Sequence, residues 1–387
     1  MQRDELAAWL RLQLTPGVGN STARRLLAAF GLPEQVFAQS ISSLGHIASA
    51  AQCAALQSPP PDWAELLDTT WSWLQADTAH RRIVALGDSA YPASLLNMED
   101  PPLLLYAMGM PSAWESDGLA QSAPRSVAVV GSRNPTAQGA ANARQFAQAL
   151  AQAGLTIVSG LALGVDGAAH EGALDGAQEG QLATIAVVGT GLDSVYPRQH
   201  RDLAHRIAAH GIILSEYPLG TPPLAANFPR RNRIIAGLTQ GTLVVEAALQ
   251  SGSLITARLA IEQGKDVFAI PGSIHSTQAK GCHALIKQGA KLVECAQDVL
   301  EEWPSGYLSN VTIKTIADDA EDTRATGALH PENALLEALG FDPTSLDALQ
   351  ARTGLDTPTL QARLMELEID GAVARLPGGL FQRLARC

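Results

Sequence analysis

Between residues 126 and 270, short β-branched runs alternate with longer helical runs, and this alternation constrains the fold more than any other feature of the chain. Residues 126–130, 155–158, 184–188, 212–214, 242–245 and 266–270 are apolar throughout or nearly so, with no polar side chain at every second position. Strands of that kind are covered on both faces, as in a parallel sheet. Residues 137–153, 166–177, 199–210, the run around 234–238 and 253–263 fit the intervening helices. The pattern predicts an α/β fold: an extended, Rossmann-like doubly wound sheet built from βαβ units. In such sheets ligands gather beyond the carboxyl ends of the strands.

Composition divides the chain around that core. Residues 1–80 read as short helices broken by Gly and Pro. Leu14-Thr15-Pro16-Gly17-Val18-Gly19-Asn20, followed by a helical run, fits a helix–hairpin–helix or SAM-like module with Asn20 or Ser21 as helix cap. Residues 81–305 form the expected core. The small acidic segment from Ala317 to Gly327 cannot bury a core, so 306–329 reads as a linker. Helical runs at 332–339, 345–352 and 357–370, then a two-stranded ending around Pro377-Gly378-Gly379, predict a C-terminal winged helix at 330–387.

The net charge is −11, which neither supports nor excludes a polyanionic partner. Residues 125–300 are the exception, with 14 Lys and Arg against 12 Asp and Glu. The four cysteines form no C-x-x-C pair, and no Cys/His cluster suggests a metal. No apolar stretch approaches the roughly 20 residues of a membrane span, and the first residues lack the order of a signal peptide. The expectation is a cytoplasmic protein without metal or cofactor.

Four segments fall at strand-to-helix passages. Gly131-Ser132-Arg133 offers a close backbone approach and a guanidinium fork before a helix. Ser159-Gly160 opens a glycine-rich turn that leads to Asp166 and His170, which read more simply as a helix cap and a locally bonded imidazole. Phe228-Pro229-Arg230-Arg231-Asn232-Arg233 is the densest positive cluster, with an aromatic ring that suits a stacked base. Gly252 and Ser253 open a further helix whose amides suit phosphate, with Lys265 and Lys280 expected on the same rim.

In this order, together with Tyr91-Pro92, Pro101-Pro102 and Ala269-Ile270-Pro271-Gly272, the motifs resemble the DNA-processing protein A family (DprA, also called Smf) over about residues 85–305. His283 and Gln138 depart from the commonest pattern of that family. The resemblance implies a non-catalytic protein that binds single-stranded DNA, dimerises through residues around 261–270 and 284–288, and loads RecA recombinase onto strands entering by natural transformation. The rival reading is a nucleotide phosphoribohydrolase on a related fold, with Glu246 as the carboxylate, but no second carboxylate pairs with it in sequence. Gly189-Thr190-Gly191 has Ser194 where a dinucleotide fingerprint needs a third glycine, so a dehydrogenase is weaker still.

Overall fold

The computed structural model describes residues 1–115, 119–120, 125–303 and 331–384; the linker expected at 306–329 therefore lies wholly outside the described residues. Six helices come first: α1 (Arg3–Leu14), α2 (Asn20–Phe30), α3 (Pro33–Phe37), α4 (Ile41–Leu44), α5 (Ala50–Gln57) and α6 (Trp63–Ala76). Gly19, not Asn20 or Ser21, is the residue that caps α2, and it does so without a side chain. Asn20 lies inside the helix and donates instead to Glu216, at 3.0 Å. The helices pack on the sheet: Leu6, Trp9, Leu26 and Leu56 share one buried cluster with Ile83, Tyr106 and Ile213.

The core sheet has nine strands: β1 (Arg81–Ala85), β2 (Leu104–Gly109), β3 (Ser126–Val130), β4 (Thr156–Ser159), β5 (Thr184–Val188), β6 (Ile212–Ser215), β7 (Gly241–Val244), β8 (Asp266–Ala269) and β9 (Lys291–Leu292). Their spatial order is β1-β2-β6-β5-β4-β3-β7-β8-β9. Pairing from β6 through β9 is parallel, whereas β2 runs antiparallel to both β6 and β1. The helices of this part are α7 (Ser112–Glu115), α8 (Ala137–Gln152), α9 (Val165–Gly176), α10 (Arg201–His210), α11 (Asn227–Gly237), α12 (Ser253–Glu262), α13 (Lys280–Lys287) and α14 (Ala296–Leu300).

Strand β3 shows why its sequence is apolar throughout. Val127 and Val129 enter a cluster with Phe146 and Leu150 of α8, while Ala128 and Val130 enter another with Ile234 and Ile235 of α11. Each such valine, buried from water, contributes roughly 1.5–3 kcal/mol. The sheet is thus doubly wound, and the strand order reverses beside β3: β4 lies on one flank and β7 on the other. That reversal leaves the loops after β3 and β7 diverging from adjacent strand ends.

The C-terminal unit has three helices, Pro331–Leu339, Leu346–Thr353 and Thr357–Ile369. A sheet of β10 (Thr344–Ser345), β11 (Val373–Leu376) and β12 (Leu380–Arg383) completes it, in the order β10-β12-β11. It is a winged helix, with one strand more than the hairpin expected from the sequence.

Candidate functional site

A crevice of about 680 Å³ opens where the loops after β3 and β7 part. Its walls carry Gly131, Ser132 and Arg133 from the first loop, Phe228, Arg231 and Asn232 from α11, and Gly252 and Ser253 from the second loop. Segments that are more than a hundred residues apart are brought together by the β3–β7 pairing, with Val130 opposite Val244. A second bond closes the same gap. Glu246 accepts from the amide of Thr136 at 2.9 Å and from its hydroxyl at 2.6 Å. The Thr136 hydroxyl itself caps α8 by accepting from Gly139 N at 3.0 Å. The N-terminus of α8 therefore already faces a carboxylate, and the positive character of the crevice comes from arginines instead.

Beneath the crevice lie a buried arginine and a buried aspartate, each favouring the other's charged form. Arg231 is only 3% exposed and donates from Nη1 to the carbonyl of Val187 at the end of β5. Burial pulls its pKa down to about 10, opposed by the Asp166 carboxylate, so it remains a cation at neutral pH. Asp166 accepts from the amides of Gly160 at 3.1 Å and Ala162 at 3.3 Å. Burial raises its pKa, while Arg231 and these amides favour its charged form. Asp166 thus ties down the loop before α9 rather than capping the helix from outside. Gly160 is required by this packing: a Cβ there would sit 2.0 Å from Arg231 Nη1. His170 is fully buried, and its Nδ1 lies 2.7 Å from Thr184 Oγ1. The Thr184 hydroxyl donates to Ile157 O, so it accepts from the imidazole, which fixes the neutral tautomer.

The rim above is aromatic and cationic. The Arg133 guanidinium lies over the Phe228 ring, 5.5 Å from its centroid. Tyr196, 46% exposed, meets Phe228 with ring centroids 5.6 Å apart. Gly160 lines a smaller recess of about 70 Å³ between these rings and Arg133. Arg230 is exposed on α11 beside the crevice. Asn232 donates to Gly252 O at 3.2 Å, fastening α11 to the start of α12. Tyr196 was not singled out in the sequence; the signal available was Tyr196-Pro197 lying just past the carboxyl end of β5, on the side where ligands gather.

Other residues expected on this rim lie elsewhere. Ser159 is fully buried and donates to Val129 O at 2.7 Å, bracing β4 against β3. Arg233 pairs with Glu216 and lies 3.6 Å from Asp100, facing the N-terminal helices. Lys265 precedes β8 and so sits at the opposite, amino edge of the sheet, donating to Ala236 O at 2.6 Å and Gly237 O at 2.9 Å at the end of α11. Burial lowers its pKa to about 8. Lys280 begins α13, exposed, and does not line the crevice. The amides of Ser253 and Leu254 already bond Ser251, at 3.4 and 3.2 Å.

Fold and site define a doubly wound α/β protein with an arginine-and-aromatic crevice at its topological switch, followed by a winged helix. The chain belongs to the DNA recombination-mediator protein A family: the family's model matches residues 82–304, and that of the DprA winged helix domain matches 320–379. Protein Smf of Escherichia coli (strain K12) is 41% identical over 321 residues, 83% of this chain and 81% of that protein. The X-ray structure of DNA processing protein A from Streptococcus pneumoniae is 37% identical and superposes with a TM-score of 0.63, covering 79% of this chain and 99% of that one. A Helicobacter pylori DNA processing protein A structure, reported for its single-stranded DNA binding mode, is 31% identical with a TM-score of 0.50 and covers 58% and 99% of the two chains.

Proposed function

We propose that the crevice receives single-stranded DNA and that the chain acts as a non-catalytic, cytoplasmic mediator, protecting strands that enter by natural transformation and loading RecA recombinase onto them. The observation that carries this reading is the Arg133–Phe228–Tyr196 rim above the buried Arg231. Guanidinium groups suit phosphates, and exposed rings offer a face to any unstacked base. A duplex keeps its bases stacked inside and cannot use the rings. The binding-mode study of the Helicobacter pylori relative supports the same partner. Glu246, on which a hydrolase reading depends, has both oxygens engaged by Thr136, which favours a structural role.

Self-association fits the exposed apolar side chains Ile255 and Ile261 of α12, next to β8. We read the working form as a homodimer, which sets two crevices side by side and raises avidity without new contacts. Light scattering at micromolar concentration is expected to give twice the 40.6 kDa chain mass. For strand binding, gel-shift titrations of single-stranded and duplex DNA at two salt concentrations are the test. Tighter single-strand binding that weakens steeply with salt is expected; equal affinity for duplex, or no salt slope, overturns the reading.

A further inference from the structure

The winged helix presents a surface that lies outside the crevice. Its third helix, Thr357–Ile369, holds the position that enters a groove in DNA-reading relatives of this architecture. One face buries Leu360, Leu364 and Leu367. On the opposite face Pro358, Ala362, Met365 and Ile369 follow at spacings of four, three and four, and so form one stripe along the helix. All four are exposed: Met365 to 64% and Ile369 to 76%, the highest value for any large apolar side chain among the described residues.

The stripe is edged by Glu366, Glu368 and Asp370, with Arg363 as the single cation of the helix. Elsewhere among the described residues of the domain, three arginines rest on their own domain, two of them exposed. Arg352 donates to Ala338 O at 3.0 Å, Arg383 lies over the Phe341 ring at 4.9 Å, and Arg375 lies over Phe381 at 5.8 Å. A helix with this surface repels phosphates and leaves apolar area in water, the pattern of a protein interface.

We propose that the Pro358–Ala362–Met365–Ile369 stripe docks a different protein, one that presents an apolar helical face edged with Lys and Arg. Charge complementarity selects that occupant: a second copy of this chain would set the same acidic border against its own. The inference does not depend on what the crevice binds.

The test places a photo-crosslinking benzoylphenylalanine at position 365 of the full-length chain, irradiates it in cells, and sequences the captured peptides. A recurrent segment is expected, with apolar residues three and four apart and an excess of Lys and Arg. A synthetic peptide of that segment is then titrated against the full chain. Ile369→Glu, and separately Glu366→Lys with Glu368→Lys, should each weaken binding about ten-fold or more. A peptide whose basic residues are changed to Glu should fail on the natural chain and regain affinity for the Glu366→Lys, Glu368→Lys chain. These positions are exposed, so circular dichroism and single-strand affinity should stay unchanged and serve as folding controls. Capture of nucleic acid, of another copy of this chain, of scattered peptides without a shared segment, or of nothing overturns the proposal, as does affinity indifferent to the charge reversal.

Discussion

Gly160 and Arg231 form a single packing unit: the guanidinium passes so close to the glycine backbone that any Cβ at position 160 would lie 2.0 Å from Nη1. The arginine cannot swing aside, because it is buried and bonded to the Val187 carbonyl. Gly160→Ala is therefore expected to cost about 1–3 kcal/mol by overpacking. Arg231→Met, which strands Asp166 without a counter-charge, should cost about 3–5 kcal/mol, and adding Asp166→Asn should restore part of that loss. Urea denaturation of the three variants checks the ordering; equal losses in Arg231→Met with and without Asp166→Asn would separate the two residues energetically.

Arg133 and Arg230 are both exposed beside the crevice, and neither supports the core. Arg133→Ala with Arg230→Ala should weaken single-strand binding several-fold and lower the salt slope by about one for each lost phosphate contact. Fluorescence anisotropy across a salt series gives both values. An unchanged slope would move the strand path elsewhere.

Lys265→Met should behave oppositely. Its ammonium bonds the carbonyls of Ala236 and Gly237 at the far edge of the sheet, so the change removes a helix-end cap and costs on the order of 1 kcal/mol. Strand affinity should stay within error of the parent chain, and a loss of affinity with stability intact would return Lys265 to the rim.

Burial holds the His170 pKa down to about 3, from an ordinary 6.5. The unfolded chain takes up this proton near 6.5 and the folded chain only near 3, so acid favours unfolding between those values. The stability is fully present above pH 6.5 and declines by up to about 1.4 kcal/mol per pH unit as pH falls toward 3. His170→Gln should flatten this dependence. Urea midpoints compared at pH 7 and pH 5 decide it: parallel losses in both proteins would clear His170 of the effect.

A chain ending at Trp303 should bind single strands as the full chain does, because the crevice is built from elements before that point. Loss of binding in a truncated chain that remains folded by circular dichroism would give the winged helix a direct part.

The central strands were legible because the β3, β5 and β7 runs are covered on both faces and carry no competing polar pattern. Strands β1 and β2 were not, since Arg81-Arg82 opens one and the prolines at 101 and 102 precede the other, masking pairs that only the antiparallel contact with β6 completes. At the site, residue type proved informative and position did not. Arg231 and Arg233 are alike in sequence, yet the roughly 200° of helix rotation between them sends one beneath the crevice and the other to Glu216. Lys265 was misplaced although chain order alone settles it: it precedes β8, and in a parallel sheet that puts it at the amino edge, away from the strand ends where ligands gather.

The Thr136–Glu246 bond joins residues 110 apart, across four intervening strands of the chain. A ribosome must therefore deliver β7 and the loop beyond it before the first loop has anything to lean against. Until then β3 has one flank open, and its neighbours can find only each other or another nascent chain. Binding competence should consequently arise late and all at once during synthesis, and chains arrested between residues 160 and 240 should hold much of their secondary structure and none of the crevice.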